Sequence, residues 1–351
     1  MINYNRILVI NLMHIGDLLL VTPVLRTLRS NFPAAHIALL ADAKLADLVR
    51  LNHNIDELIT IDKKGYHDKL INYIAFIGEI RQKKFDLVIN LHKNERASFI
   101  AALSGAKKIV GYSTLGSGLL FDKVIENRKR SKHQVHAHFD VLKETLGITT
   151  FDDHGIEMWL DEEAEASAAA IWSQTFPEAR PVIGLNIGAS WPTKRWPKEY
   201  FAELADRLVD HGFAIAYFGG SMDVDIVDEA ISLMKHRDNP HVVKLTGKVT
   251  LMELAALLKK CAVFVTNDSG PMHIATAMRV PLVSMFGASP VQGFWPYNNI
   301  SVVLKTPLTC HPCYKHSCRL GGLECMYAIT VDEVLTATLR QIDSPYGHIP
   351  L

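Results

Sequence analysis

The stretch Phe264-Val265-Thr266-Asn267-Asp268-Ser269-Gly270-Pro271-Met272-His273-Ile274 decides how this chain is read. Val263 to Thr266 has the continuous apolar character of a buried parallel strand. The run stops on Asn267-Asp268-Ser269-Gly270, and a helix is predicted from Pro271, with Ala275, Ala277 and Met278 along it. Proline suits the first helical turn, where its missing N–H costs nothing. The backbone N–H groups of such a helix end lack partners and carry partial positive charge, which favours phosphate. Ligands of open parallel sheets bind at the carboxyl ends of strands. The stretch therefore predicts a diphosphate at Ser269–Met272, with Asp268 beside it. Taken alone it reads equally well as a structural helix that Asp268 and Ser269 merely cap.

The surrounding second half repeats the pattern. Val182 to Ile187, Phe213 to Phe218, Val242 to Leu245 and Pro281 to Phe286 read as strands. Helices are predicted at Tyr200 to His211 and Leu251 to Lys260. Four strands end in Gly- or Ser-rich turns, at 188–190, 219–221, 269–270 and 287–289. Lys194 adds a point charge suited to phosphate at that rim. Together with Asp268, these turns predict a nucleotide-diphosphate site.

Residues 1–160 alternate in the same way. Strands are predicted at Ile7 to Ile10, Ile37 to Ala41, Leu58 to Ile61, Asp86 to Leu91 and Ile109 to Tyr112, with helices between. One helix is expected from Leu18 to Pro33, another from Ala43 to Leu51 and a third over about Lys69 to Lys84. Alternation of this kind means a parallel sheet covered on both faces, an α/β class. The first strand leads into Asn11-Leu12-Met13-His14-Ile15-Gly16-Asp17, which lacks the Gly-x-Gly-x-x-Gly dinucleotide fingerprint. It places Asp17 at a helix start, either as a plain cap or poised to take a proton from a hydroxyl. His14, His92 and Lys93 close strands on polar groups and are the acceptor-side candidates. The basic run Arg128-Lys129-Arg130-Ser131-Lys132-His133 is either a solvated loop or a contact, through Arg128 and Arg130, with an anionic acceptor or membrane surface.

The division expected from this reading is residues 1–160, a linker helix and hinge at 161–180, a donor domain at 181–330, and a tail helix at 331–351 that packs back on the first domain. The 351 residues allow two cores. With 37 Lys and Arg balancing 37 Asp and Glu, no global field points to nucleic acid. Asp17 interrupts the apolar start, so no signal peptide is expected. No uncharged apolar run reaches the roughly 18–20 residues of a membrane span. A cytoplasmic protein is the expectation.

Cys310, Cys313, Cys318 and Cys325 form Cys-x2-Cys-x4-Cys-x6-Cys. Four thiolates this close could wrap a structural zinc or iron, although the second Cys-x2-Cys pair of standard zinc sites is missing. Cys261 reads as core.

Two parallel-sheet domains, an Asp in one and a diphosphate rim in the other, resemble the GT-B glycosyltransferase plan, with the domains facing across a cleft. The motifs His14-Ile15-Gly16-Asp17 with Thr22-Pro23, Lys194-x-Trp196-Pro197, Gly247-Lys248-Val249 and Asp268-Ser269-Gly270-Pro271-Met272-His273 are similar to those of glycosyltransferase family 9. These are the ADP-heptose:lipopolysaccharide heptosyltransferases, and the likeness leans to the branch adding a second or third heptose. The resemblance implies an inverting enzyme with Asp17 as general base. It implies that Lys194 binds the donor's phosphate or ribose side, Ser190 hydrogen-bonds phosphate, Asp223 faces the ribose and Val249 presents backbone to adenine. It implies that Asp268 holds heptose hydroxyls and that the stretch Ser269, Gly270, Pro271 and Met272 lines the diphosphate, with the N–H groups of its non-proline residues turned to it. No catalytic cofactor is implied. The partners implied are ADP-heptose and lipopolysaccharide core, with peripheral contact at the inner-membrane leaflet. Iron held by cysteines in relatives that glycosylate proteins leaves a protein acceptor open. A nucleotide-sugar epimerase or a non-catalytic nucleotide-binding protein on the same plan are the competing readings.

Overall fold

The computed structural model describes residues 4–114, 116–126, 131–297 and 300–343. The chain forms two compact units, Met1–Trp159 and Leu160–Leu351. Each is built on a six-stranded parallel sheet, as the GT-B plan requires.

In the first unit the strands are β1 (Arg6–Ile10), β2 (His36–Asp42), β3 (Glu57–Ile61), β4 (Leu87–Asn90), β5 (Lys108–Gly111) and β6 (Lys123–Val124), in spatial order β3-β2-β1-β4-β5-β6. Ile7, Leu8, Val9 and Ile10 are all fully buried, as a strand covered on both faces must be. Helices Leu70–Gln82 and Glu95–Leu103 seal one face with Phe76, Ile77, Ile80 and Ile100.

Several elements depart from expectation. The single helix foreseen before Pro33 is two, Ile15–Leu19 and Thr22–Asn31. Pro23 lacks the N–H that would continue the first helix, so the chain restarts around it. The helix expected from Ala43 is instead a 3-10 turn at Ala43–Leu48, opened by the Asp42 carboxylate accepting from Lys44 N. Residues 127–130, with Arg128 and Arg130, lie outside the described residues. The end of that basic run folds directly into a helix, Gln134–Leu146, whose first backbone donor Val135 N is taken by His133 Nδ1.

The second unit contains β7 (Val182–Asn186), β8 (Ala214–Phe218), β9 (Val242–Lys244), β10 (Val263–Asn267), β11 (Leu282–Phe286) and β12 (Ser301–Lys305), in order β12-β11-β10-β7-β8-β9. Two segments assigned elsewhere from sequence belong here. The expected linker helix, Glu162–Thr175, is capped by Asp161 and packs on helix Leu251–Leu258. Its small buried residues Ala164 and Ala168 allow that close approach. The tail helix, Val331–Asp343, belongs to the second unit. It buries Val334, Leu335 and Ala337 in the second unit's core beside Trp196 and Phe201. Among the described residues no helix is long and apolar enough to cross a membrane.

Candidate functional site

The order of the second sheet reverses between β7 and β10, which makes their carboxyl ends the topological switch point. Each strand ends in a buried asparagine. Asn186 Nδ2 reaches Gly188 O at 3.0 Å and the hydroxyls of Thr266 and Ser269 at 3.1 Å each. Asn267 Nδ2 donates to Ile187 O at 2.7 Å, while its Oδ1 accepts from Trp196 N at 2.9 Å. The two amides therefore fasten the loops that follow both strands to each other. Trp196, fully buried, anchors the other side through Nε1–H to Ile329 O, 2.8 Å.

This framework presents Lys194 at the rim. Its Nζ lies 2.7 Å from Asp268 Oδ2 and 4.8 Å above the Trp191 ring. Asp268 is almost wholly buried, so the ammonium is the counter-charge its carboxylate meets inside the fold. His273 is buried on the adjacent helix, Gly270–Ala277. Burial pushes its imidazole down to about 4, with Asp268 opposing and Lys194 reinforcing the shift, so the ring is neutral at ordinary pH. The helix begins one residue before the predicted Pro271. Ser269 occupies the capping position without donating its side chain to that role, because its Oγ contacts Asn186 and Thr266 instead. The alternative reading, in which the Ser269 side chain merely caps the helix, does not hold, and among the described residues no side chain caps the N–H groups of its first turn.

Asp223 stands against the same rim. A side chain at Gly188 would collide with its carboxylate, and Gly220 N donates to Asp223 Oδ2 at 2.9 Å. Gly247 takes φ +72 and donates from its N to Gly219 O at 3.0 Å, bringing the 247–249 turn beside the end of β8. Val249 immediately precedes Thr250, which caps the next helix. Ser190 is exposed on the turn after β7, and Met272 is fully buried. The structure therefore gathers Lys194, Asp268, Ser269, Gly270 and Pro271 at the switch point, with Asp223 and the 247–249 turn along the β8 side.

The first unit has its own switch point, between β1 and β4. Asp17 lies in the first turn of the helix that follows β1, and Asn11 Nδ2 donates to its carbonyl at 3.3 Å. Asn90 ends β4 and orients His92 by accepting from its N at 3.2 Å. His14 and Lys93 are exposed. Lys63, which sequence reading did not single out, donates to Leu12 O at 2.5 Å and pairs with Asp42 at 2.9 Å. It adds a cation to the loop that carries Asp17; the adjacent pair Lys63-Lys64 after a strand was the available signal.

The four clustered cysteines are free and half-buried around one cavity of about 320 Å³. Burial, then the neighbouring thiols of Cys313, Cys310 and Cys318, push Cys325 up to about 11. Cys318 Sγ donates to Glu324 at 3.5 Å. Among the described residues no three His, Cys, Asp or Glu side chains are arranged to hold a metal ion. The expected structural metal clip finds no support in this arrangement. The loop is joined to the donor rim instead: Thr193 Oγ1 donates to Lys315 O at 2.6 Å, and His316 lies against Trp191 with ring centroids 4.1 Å apart. Trp191 and Asn186 are site residues that sequence reading missed, and His273, which closes the quoted motif, was given no role there.

A family model described as glycosyltransferase family 9 (heptosyltransferase) matches residues 73–324. Lipopolysaccharide heptosyltransferase 2 of Escherichia coli (strain K12) is 26% identical over 336 residues, covering 94% of this chain and 96% of that protein. A crystal structure of a family 9 glycosyl transferase from Veillonella parvula DSM 2008 superposes with a TM-score of 0.90 at 34% identity, covering 98% of this chain and 99% of that one. The structure of E. coli ADP-heptose lps heptosyltransferase II shares the fold, with a TM-score of 0.77 at 22% identity over 97% of this chain and all of that one.

Proposed function

Since the chain belongs to glycosyltransferase family 9, we propose that it transfers heptose from ADP-L-glycero-D-manno-heptose to the inner core of lipopolysaccharide, with inversion. The observation that carries the donor half is the Lys194–Asp268 pair beside the uncapped start of helix Gly270–Ala277. The diphosphate takes the N–H groups of Gly270 and Met272 together with the Lys194 ammonium. Pro271 has no N–H, so its contribution is the fixed φ that aims the turn. Asp268 accepts from heptose hydroxyls, Ser190 donates to phosphate, Asp223 accepts from ribose, and the Val249 backbone meets adenine.

On the first unit, Asp17 takes the proton of the acceptor hydroxyl. The oxygen attacks the anomeric carbon, the bond from that carbon to the β-phosphate oxygen breaks, and ADP leaves. One displacement from the face opposite ADP inverts the configuration. Charge grows on the leaving oxygen as the bond breaks, and preorganised N–H dipoles with the half-buried Lys194 ammonium stabilise it without reorganising. His92, Lys93 and His14 serve the acceptor on the same unit. Because the acceptor is lipid-borne, the enzyme works as a peripheral protein at the cytoplasmic face of the inner membrane.

The test is incubation with ADP-heptose and heptose-deficient lipopolysaccharide, followed by mass spectrometry of the acceptor and NMR of the new anomeric proton. One added heptose of inverted configuration is expected. A retained configuration would refute the single displacement, and an unmodified acceptor would refute the lipopolysaccharide assignment.

A further inference from the structure

Helix Leu70–Gln82 turns Phe76, Ile77 and Ile80 into the first unit's core, yet its opening turns are also apolar on the outside. Leu70 is 71% exposed, Ile71 75% and Ile74 58%, and Tyr66 in the preceding turn is 67% exposed. Alongside, helix Glu95–Leu103 exposes Phe99 and Leu103, one helical turn apart. The helices are pinned side by side. Tyr73 Oη donates to Arg96 O at 2.8 Å, and the Arg96 guanidinium covers the Tyr73 ring at 5.5 Å. Six large apolar side chains on two neighbouring helices and one turn are more than a soluble surface normally leaves to water.

The charge around them has one sign in excess. Residues 62–107 hold nine Lys and Arg against five Asp and Glu. Lys64 and Lys69 are exposed at the start of the first helix, and Arg81 and Lys107 at the far ends of the pair. We propose that this face, Tyr66–Ile74 with Phe99 and Leu103, docks on an anionic phospholipid surface. The apolar side chains enter the headgroup boundary and the lysines meet lipid phosphate. The proposal rests on the reading that the acceptor is lipid-borne, and it is argued from described residues, outside which Arg128 and Arg130 of the basic run lie. The neutral overall charge of the chain makes this local excess the feature that separates an anionic from a neutral membrane.

The experiment is vesicle flotation of the full chain with phosphatidylcholine alone and with added phosphatidylglycerol. Binding to the anionic vesicles is expected, weak on the neutral ones and reduced by salt. Ile71→Gln/Ile74→Gln should lower partitioning at least about tenfold through lost apolar burial. Lys64→Gln/Lys69→Gln should lower it by a similar factor on anionic vesicles only, since each lysine contributes about fivefold there. ADP binding by each variant, unchanged from wild type, shows that the fold is kept. Equal binding to both vesicle types, or variants that bind like wild type, would overturn the proposal. So would a wild-type dimer that the isoleucine variant dissolves in the absence of vesicle binding, which would give the face to a second copy. None of these readouts uses transfer activity, so failure here leaves the heptosyltransferase reading standing.

Discussion

Lys194 has two partners that both attract a cation, the Asp268 carboxylate at 2.7 Å and the Trp191 ring at 4.8 Å. Removing the ammonium leaves a buried carboxylate without its counter-charge, which typically costs roughly 3–5 kcal/mol. Lys194→Ala should therefore lower the urea midpoint as well as weaken donor binding, and adding Asp268→Asn should restore part of the stability. An unchanged midpoint in the single variant would mean that the pair does not form. His273 makes a separate prediction. Its ring, held down at about 4, stays neutral in the fold while the unfolded chain gains a proton below the ordinary histidine value of about 6.5. Nothing is lost above that pH. As pH falls from about 6.5 towards 4, the unfolded state binds the extra proton and stability drops, by roughly 3 kcal/mol in all from this residue. His273→Gln should flatten that part of the stability profile, and an equally steep variant would contradict the account. At this scale the sequence was informative for residues with a motif around them, such as Asp268 and Lys194. It was silent on Asn186 and Trp191, and on the role of His273 within its motif, because their work depends on what a neighbouring strand or loop brings to them.

The strands were legible because a parallel strand buried on both faces is a short, unbroken apolar run. Helices were legible where a clean stripe repeats, as in Tyr200 to His211, observed as Lys198–Asp210. Gln134–Leu146 and Val224–Leu233 were not assigned: the first begins in a basic, histidine-rich stretch, and the second follows the turn at 219–221 with Asp225, Asp228 and Glu229 interrupting its apolar stripe. The break between Leu19 and Thr22 was marked only by Pro23. The start of helix Leu251–Leu258 carries a checkable energy. Thr250 Oγ1 accepts from Glu253 N at 3.2 Å, and Glu253 Oε2 accepts from Thr250 N at 2.8 Å. Thr250→Ala should cost about 1 kcal/mol, as loss of an N-cap does. Because Val249 is the preceding residue, the same variant should weaken ADP binding. A variant with wild-type affinity would argue against an adenine contact at that turn.

Across the whole molecule, the two-unit organisation could be inferred from the repeated alternation, but which unit the flanking helices join could not. The linker helix and the tail helix join the second unit through contacts distant in sequence, Ala168 on Leu251–Leu258 and Val334 in the core around Trp196. One consequence concerns ligand linkage. ADP bound at the β7–β10 switch point should slow hydrogen exchange in residues 160–343, first at Gly270–Ala277, and leave β1 and β4 unchanged. At a hundred times its dissociation constant ADP should add about 2.7 kcal/mol to the unit that binds it. Protection centred on the first unit would move the nucleotide site.

The central claim joins a donor rim on the second unit to a base on the first, so the decisive measurement is acceptor-dependent ADP release by wild type and Asp17→Ala. General-base catalysis is worth about 10²–10⁴-fold. The account predicts that Asp17→Ala loses turnover by that order while its affinity for ADP is unchanged. Wild-type turnover in the variant would contradict it, and so would a loss of ADP affinity matching the loss of rate.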